Sequence, residues 1–342
     1  MSVRILVVGA GSIGGYFGGR LLAASRAVTF LVHARRAAQL AQTGLVIRGP
    51  RGDLDLPAPP TITAETLRAA NADQASRELF DLILLSVKAY DLEAAMDDFA
   101  PAVGPHTLIL PLLNGMRHLE LLDERFGADH VLGGQCVVST TLDPDGRIVH
   151  LSEFATLSFG ARNGSRGGSR GGSRSEQIEA IAAALAVAGF DSRLSEAIMQ
   201  EMWEKWVFIA TVAGITCLMR AAIGDIIAAG AGDLAAALLD ECAAIANQHG
   251  YPPSAEALQR DRATFTAPGS ELTASMLRDI ERGAPIEAEQ IIGDLLRRAR
   301  DDRHGEGQGA ASPLLRIAYA HVKSYDARRA RETGHPLSPI DG

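Results

Sequence analysis

The densest run of chemistry-bearing positions opens the chain, where RILVVGAGSIGGYFGGRLLAA sets Gly9, Gly11 and Gly14 in GxGxxG spacing between an apolar strand and a helix. The glycines differ in what they permit. The first allows a tight turn, the second lets a pyrophosphate approach the backbone, and the third lets helix and strand pack closely. Gly9, Ala10, Gly11, Ser12, Ile13 and Gly14 are therefore expected to hold the pyrophosphate of a nicotinamide dinucleotide. An NAD site would normally end the second strand on an acidic residue, for the ribose hydroxyls. Here the strand runs into His33, Ala34, Arg35 and Arg36. This cationic cluster suits a 2′-phosphate and points to NADP (NADPH); the alternative is that Arg35 and Arg36 merely begin a solvated helix.

A second group of candidates is spread along the chain. Lys205 sits among Trp203, Trp206, Ile209, Val212 and Ala213, on a helix expected over Ser195–Cys217. It is either partly buried, with an ammonium made more acidic by desolvation and suited to proton donation, or a surface lysine paired with Glu201. Lys88 and Asn114 each follow an apolar strand, at the sheet edge where α/β proteins bind ligands. Glu287 follows a Gly-Ala-Pro break at the start of a helix, where the helix dipole alone would favour an acid.

Elements must position these groups. Short runs rich in Val, Ile and Leu, at Ile5–Val8, Val28–Val32, Leu82–Val87, Leu108–Leu113 and Val131–Val138, alternate with amphipathic stretches. They predict a doubly wound parallel sheet of Rossmann type, with Gly44–Leu56 as a hairpin insertion. The repeat GSRGGSRGGSRS predicts a flexible loop over 163–175. Helical periodicity follows at 176–188, 195–217, 233–249, 272–282, 287–300 and 313–330. The expected organisation is α/β: a dinucleotide-binding domain over 1–162, the loop, and an all-helical substrate and dimerisation domain over 176–332.

Composition narrows the function classes. With 342 residues and 47% apolar content the chain can bury two ordinary cores. A net charge of −8, with both signs interspersed, offers no broad face for a nucleic-acid backbone. Three cysteines without CxxC spacing fit neither a disulfide framework nor a zinc site, so a reducing cytoplasm and no metal centre are expected. The apolar N-terminal run breaks at once into glycines, unlike a signal peptide, and no uninterrupted apolar run reaches membrane-spanning length.

Taken in order, GAGSIGG at Gly9, SVKAYD at Ser86, LNG at Leu113, WEKW at Trp203, SMLRDIERG at Ser275 with Glu287 following, and SPLLRIAYAHV at Ser312 resemble the ketopantoate reductase (2-dehydropantoate 2-reductase) family. The resemblance implies a Rossmann domain followed by a helical domain, with the active site in the cleft between them. It implies NADPH-dependent reduction of ketopantoate to pantoate, in pantothenate biosynthesis. Lys205 would be the general acid, Lys88 and Asn114 would contact cofactor or substrate, Ser275 would hold the substrate, and Glu287 a ribose or substrate hydroxyl.

The chain departs from the family pattern where substrate asparagines are expected: it carries Ile209, Ala213 and Ile223, which replace orienting amides by an apolar wall. His33 stands where many relatives carry an arginine. A reductase of a more apolar carbonyl compound and a non-catalytic NADP-binding sensor are accordingly the alternatives. The apolar helical domain is the expected surface for a homodimer.

Overall fold

In the computed structural model, residues 3–72, 79–162, 171–186, 188–300 and 312–334 are described. They form two units, one comprising 1–113 with 118–198 and the other 114–117 with 199–342. The first opens as β1 (Arg4–Val8), α1 (Ser12–Ala23), β2 (Ala27–Leu31), α2 (Ala34–Thr43), the hairpin β3 (Leu45–Arg48) and β4 (Leu54–Leu56), β5 (Thr61–Ile62) and α3 (Ala64–Ala70). It continues through β6 (Leu82–Leu85), α4 (Leu92–Phe99), β7 (Leu108–Pro111), α5 (Arg117–Phe126), β8 (Gly133–Leu142), β9 (Ile148–Gly160), α6 (Gly171–Leu185) and β10 (Asp191–Leu194).

One sheet is parallel throughout, ordered β5-β2-β1-β6-β7. Its β1, β6 and β7 are buried on both faces apart from Arg4, which is why they read as unbroken apolar runs rather than alternating ones. The chain leaves β1 towards β2 on one side and returns to β6 on the other, so the turn after β1 lies at the switch point where open α/β sheets take ligands.

The expected fifth strand at Val131–Val138 is divided. Val131 makes a single parallel bridge to Ile109, whereas β8 pairs antiparallel with β9 from Gly133↔Gly160 to Leu142↔Ile148. A Cβ on Gly134 would overlap Leu110, so the chain can cross β7 there only without a side chain. β8 thereby belongs to a second sheet, which runs β10-β9-β3-β4 with β8 also paired to β9, and the predicted hairpin insertion at 44–56 is part of it.

Two boundaries differ from expectation. Residues 171–175, read as loop, already belong to α6, while 163–170 lie outside the described residues. The segment 176–198 belongs with the first unit because β10 pairs with β9. The division therefore falls after Ile198 instead of before 176.

The second unit is helical: α7 (Ile198–Met219), α8 (Ile223–Ala228), α9 (Gly232–Gln248), α10 (Ala255–Phe265), α11 (Ser275–Glu281), α12 (Asp294–Ala299) and α13 (Pro313–Thr333). α8 and α10 were not expected from periodicity; α10 is started by Ser254, whose side chain accepts from the Ala257 amide. By length and composition α7 could cross a membrane, but 67% of its apolar window is buried within the structure, as in a core helix. The helix expected over 287–300 contains a π turn at Glu289–Gly293 before α12.

Candidate active site

At the end of β1 the backbone makes the tight strand-to-helix turn that the glycine spacing predicts. Gly9 has φ +91°, a value that side chains disfavour, and its amide donates to the Leu31 carbonyl at 3.0 Å, joining the turn to β2. A Cβ on Gly14 would overlap both the Gly9 carbonyl oxygen and Ser86 Oγ. Gly11 is the N-cap of α1, with no side-chain cap and no acid in the first turn, and a Cβ there would meet nothing within 4 Å. The start of α1 is thus uncrowded at Gly11 and carries the positive end of the helix dipole, which fits a pyrophosphate.

Ser86, not singled out from sequence, fastens this turn: its hydroxyl reaches the Val8 carbonyl at 3.0 Å and the Gly9 carbonyl at 3.3 Å. His33, the N-cap of α2, is exposed, as is Arg35. Arg36 is half-buried, and its three donors reach Ala10, Gln39 and Gly146. Lys88 is exposed just beyond β6, at the start of a single helical turn over Ala89–Asp91.

In the second unit the π turn gathers the other candidates. Trp206 donates from Nε1 to the Ile291 carbonyl at 2.9 Å, and so seats α7 beside its neighbour Lys205 on this turn. Gly115 has φ +79° and so little room that a Cβ would overlap the Gln290 carbonyl oxygen, bringing the Asn114–Gly115 turn to the same place. Glu287 lies three residues before Gln290 and is 7% exposed. A carboxylate placed only to complement a helix dipole would remain in solvent; this one is buried. Asn114, Lys205 and Glu287 are thus carried by three segments that meet at residues 290–291. A π turn widens the helix by one residue and is often found at functional sites.

At the first residue of the π turn, Glu289 is buried in an ion network: Tyr319 Oη donates to it at 2.7 Å, Lys323 Nζ lies at 2.7 Å and Arg297 Nη1 at 3.2 Å. Burial alone would raise the Glu289 pKa, but these three partners outweigh it and hold the carboxyl below its ordinary range. Burial and Glu289 together push the Tyr319 phenol upward.

Two family models cover most of the chain: "Ketopantoate reductase PanE/ApbA" matches residues 5–164 and "Ketopantoate reductase PanE/ApbA C terminal" matches 197–326. The chain belongs to the ketopantoate reductase family. An "Uncharacterized oxidoreductase YkpB" of Bacillus subtilis is 34% identical over 96% of this chain and 100% of its own length. A 2-dehydropantoate 2-reductase of Halobacterium salinarum is 26% identical over 87% and 93% respectively. The crystal structure of 2-dehydropantoate 2-reductase from Geobacter metallireducens superimposes with a TM-score of 0.78 at 26% identity, over 94% of this chain and 99% of that one.

Membership of the ketopantoate reductase family makes the protein an oxidoreductase acting on CH–OH/C=O groups with a nicotinamide cofactor; small 2-oxo acids and NADPH are the family's substrates and cofactor. The three positions where the resemblance implies asparagines are unequal. Ala213 is 2% exposed and Ile223 0%, whereas Ile209, one helical turn after Lys205, keeps accessible surface. Of the three, Ile209 alone can therefore present its apolar surface to a ligand in this conformation. Ser275 is the exposed first residue of α11, at a helix start rather than in a helix interior. The Ala274 amide before it donates to Thr216 Oγ at 3.3 Å, tying that start to α7.

Proposed function

We propose that this protein reduces a 2-oxo acid to the 2-hydroxy acid with NADPH, and that Lys205 gives the proton to the carbonyl oxygen. Bound NADPH would supply the hydride from nicotinamide C4. The observation that carries the proposal is the meeting of the Asn114, Lys205 and Glu287 segments at the π turn. Glu287 is suited to accept from a ribose or substrate hydroxyl, Ser275 to hold the substrate, and Lys88 and Asn114 to contact cofactor or substrate. His33 and Arg35, exposed at the start of α2, are suited to the 2′-phosphate.

Ketopantoate is the first substrate to test, with a role in pantothenate biosynthesis. The accessible Ile209 favours a second possibility, a 2-oxo acid with a bulkier apolar side chain, because no amide stands there to bond a substrate hydroxyl. Three buried thiols, all free, agree with a cytoplasmic setting, and the helical unit is the surface proposed for a homodimer.

NADPH oxidation should be followed with ketopantoate and with straight-chain, branched and aromatic 2-oxo acids. Turnover of any of them by the native protein, abolished in Lys205→Ala, is the expected result. NADPH binding without turnover of any 2-oxo acid would instead indicate a non-catalytic sensor. Full activity in the Lys205 variant would remove that residue from the mechanism.

A further inference from the structure

Arg36 follows Arg35 in the cationic cluster, yet its guanidinium points back into the first unit. Nε donates to the Ala10 carbonyl, between Gly9 and Gly11, at 3.2 Å; Nη1 donates to Gln39 Oε1 at 2.7 Å and Nη2 to the Gly146 carbonyl at 3.3 Å. None of these three acceptors is a carboxylate, and burial lowers the Arg36 pKa. Gly146 has φ +79° and lies in the turn between β8 and β9, which is closed by its own amide donating to the Asp143 carbonyl at 2.9 Å. Gln39 completes the attachment by donating to the Asp145 carbonyl at 3.1 Å. The fit is tight, since a Cβ on Gly146 would come within 2.5 Å of Gln39 Nε2 and 2.9 Å of Arg36 Nη1.

The consequence for the glycine turn follows from peptide planarity. The Ala10 carbonyl and the Gly11 amide belong to one trans peptide plane and point in opposite directions. Holding the carbonyl therefore aims the Gly11 N–H away from Arg36. The rigid fork of the guanidinium joins three segments, the turn, α2 and the β8–β9 turn, at one point.

We propose that Arg36 is a positioning residue that sets the Gly9–Gly14 turn for a dinucleotide whether or not it carries a 2′-phosphate, while discrimination of that phosphate falls to His33 and Arg35. Arg36 directs its donors to carbonyls and a side-chain amide; His33 and Arg35 are exposed. The division of labour rests on NADPH being the cofactor of this turn.

The test is binary titration with NADPH and, separately, NADH, without any 2-oxo acid, so that the identity of the substrate does not enter. Arg36→Ala should weaken both dinucleotides by the same factor, on the order of 10-fold, the worth of one hydrogen bond to a charged group. Arg36→Lys should recover part of both losses, because an ammonium can hold one carbonyl but not the fork. Gln39→Ala should weaken both in parallel and less, and it remains informative if Arg36→Ala does not fold. Arg35→Ala should weaken NADPH about 10-fold while leaving NADH within about two-fold. A loss confined to NADPH in Arg36→Ala or Gln39→Ala, or no loss for either dinucleotide, would overturn the positioning role. A native protein that binds neither dinucleotide would overturn the cofactor assignment, and the role of Arg36 with it.

Discussion

Lys205 shows how chemistry is shared between one residue and its setting. An isolated lysine on a helix is usually a solvated cation, but this one is half-buried, on a helix whose neighbouring Trp203 and Trp206 are 3% and 1% exposed. If it is the proton donor, Lys205→Ala should lower kcat by about 10²–10⁴-fold while leaving the NADPH dissociation constant within about two-fold. Steady-state rates and fluorescence titration check the two halves. Ile209 is where substrate preference can be altered from one side chain. Ile209→Asn restores an amide one helical turn from Lys205, and should raise kcat/KM for ketopantoate over an apolar 2-oxo acid by roughly 10-fold, the value of one hydrogen bond. The same change at Ile223, which is 0% exposed, would bury an amide and cost about 1–3 kcal/mol of stability.

Among the elements, α1 and the π turn carry the tightest constraints. Gly14→Ala places a methyl against the Gly9 carbonyl and Ser86, so either α1 moves away from β1 or the turn opens. Loss of binding for both NADPH and NADH is the expected outcome, measurable by titration. The π turn opens on Glu289, and removing that carboxylate leaves Lys323 and Arg297 only their longer contacts, to Asp326 at 3.9 Å and Asp294 at 3.6 Å. Glu289→Ala should cost about 3–5 kcal/mol, seen as a lower Tm. The pH dependence has a definite sign. Because the folded-state pKa is depressed below its ordinary value of 4.5, the ion network stabilises fully above that pH and its contribution is lost as pH falls through the lower folded value. The stabilities of the native protein and Glu289→Gln should therefore differ most above pH 4.5 and converge as pH falls below it, the variant showing the shallower acid dependence there.

Over the whole molecule, burial separates reactive from inert chemistry. Cys136, Cys217 and Cys242 are buried and free, and burial pushes the thiols of Cys217 and Cys242 up to about 12. A thiol reagent should label none of them rapidly in the native protein and all three after denaturation. Rapid labelling of a native thiol would show that one of these cores opens on that timescale.

Much of the site was legible where chemistry is local in sequence. Strand, glycine turn and helix follow one another within residues 4–23, so the spacing of Gly9, Gly11 and Gly14 alone determined the turn and the class of ligand it suits by steric necessity. The parallel strands declared themselves through unbroken apolar runs. Contacts between distant residues were illegible. β10 reads as part of a helical domain until it pairs with β9, and that pairing moves the division of the chain to Ile198. The sequence places Arg36 beside Arg35 as one more cation, but only the folded chain turns it 26 residues back to Ala10 and 110 residues forward to Gly146. The meeting of the Asn114 and Lys205 segments with residues 287–291 was likewise decided by tertiary structure, because no local pattern announces that the π turn offers a carbonyl to Trp206 and lets Gly115 approach closely.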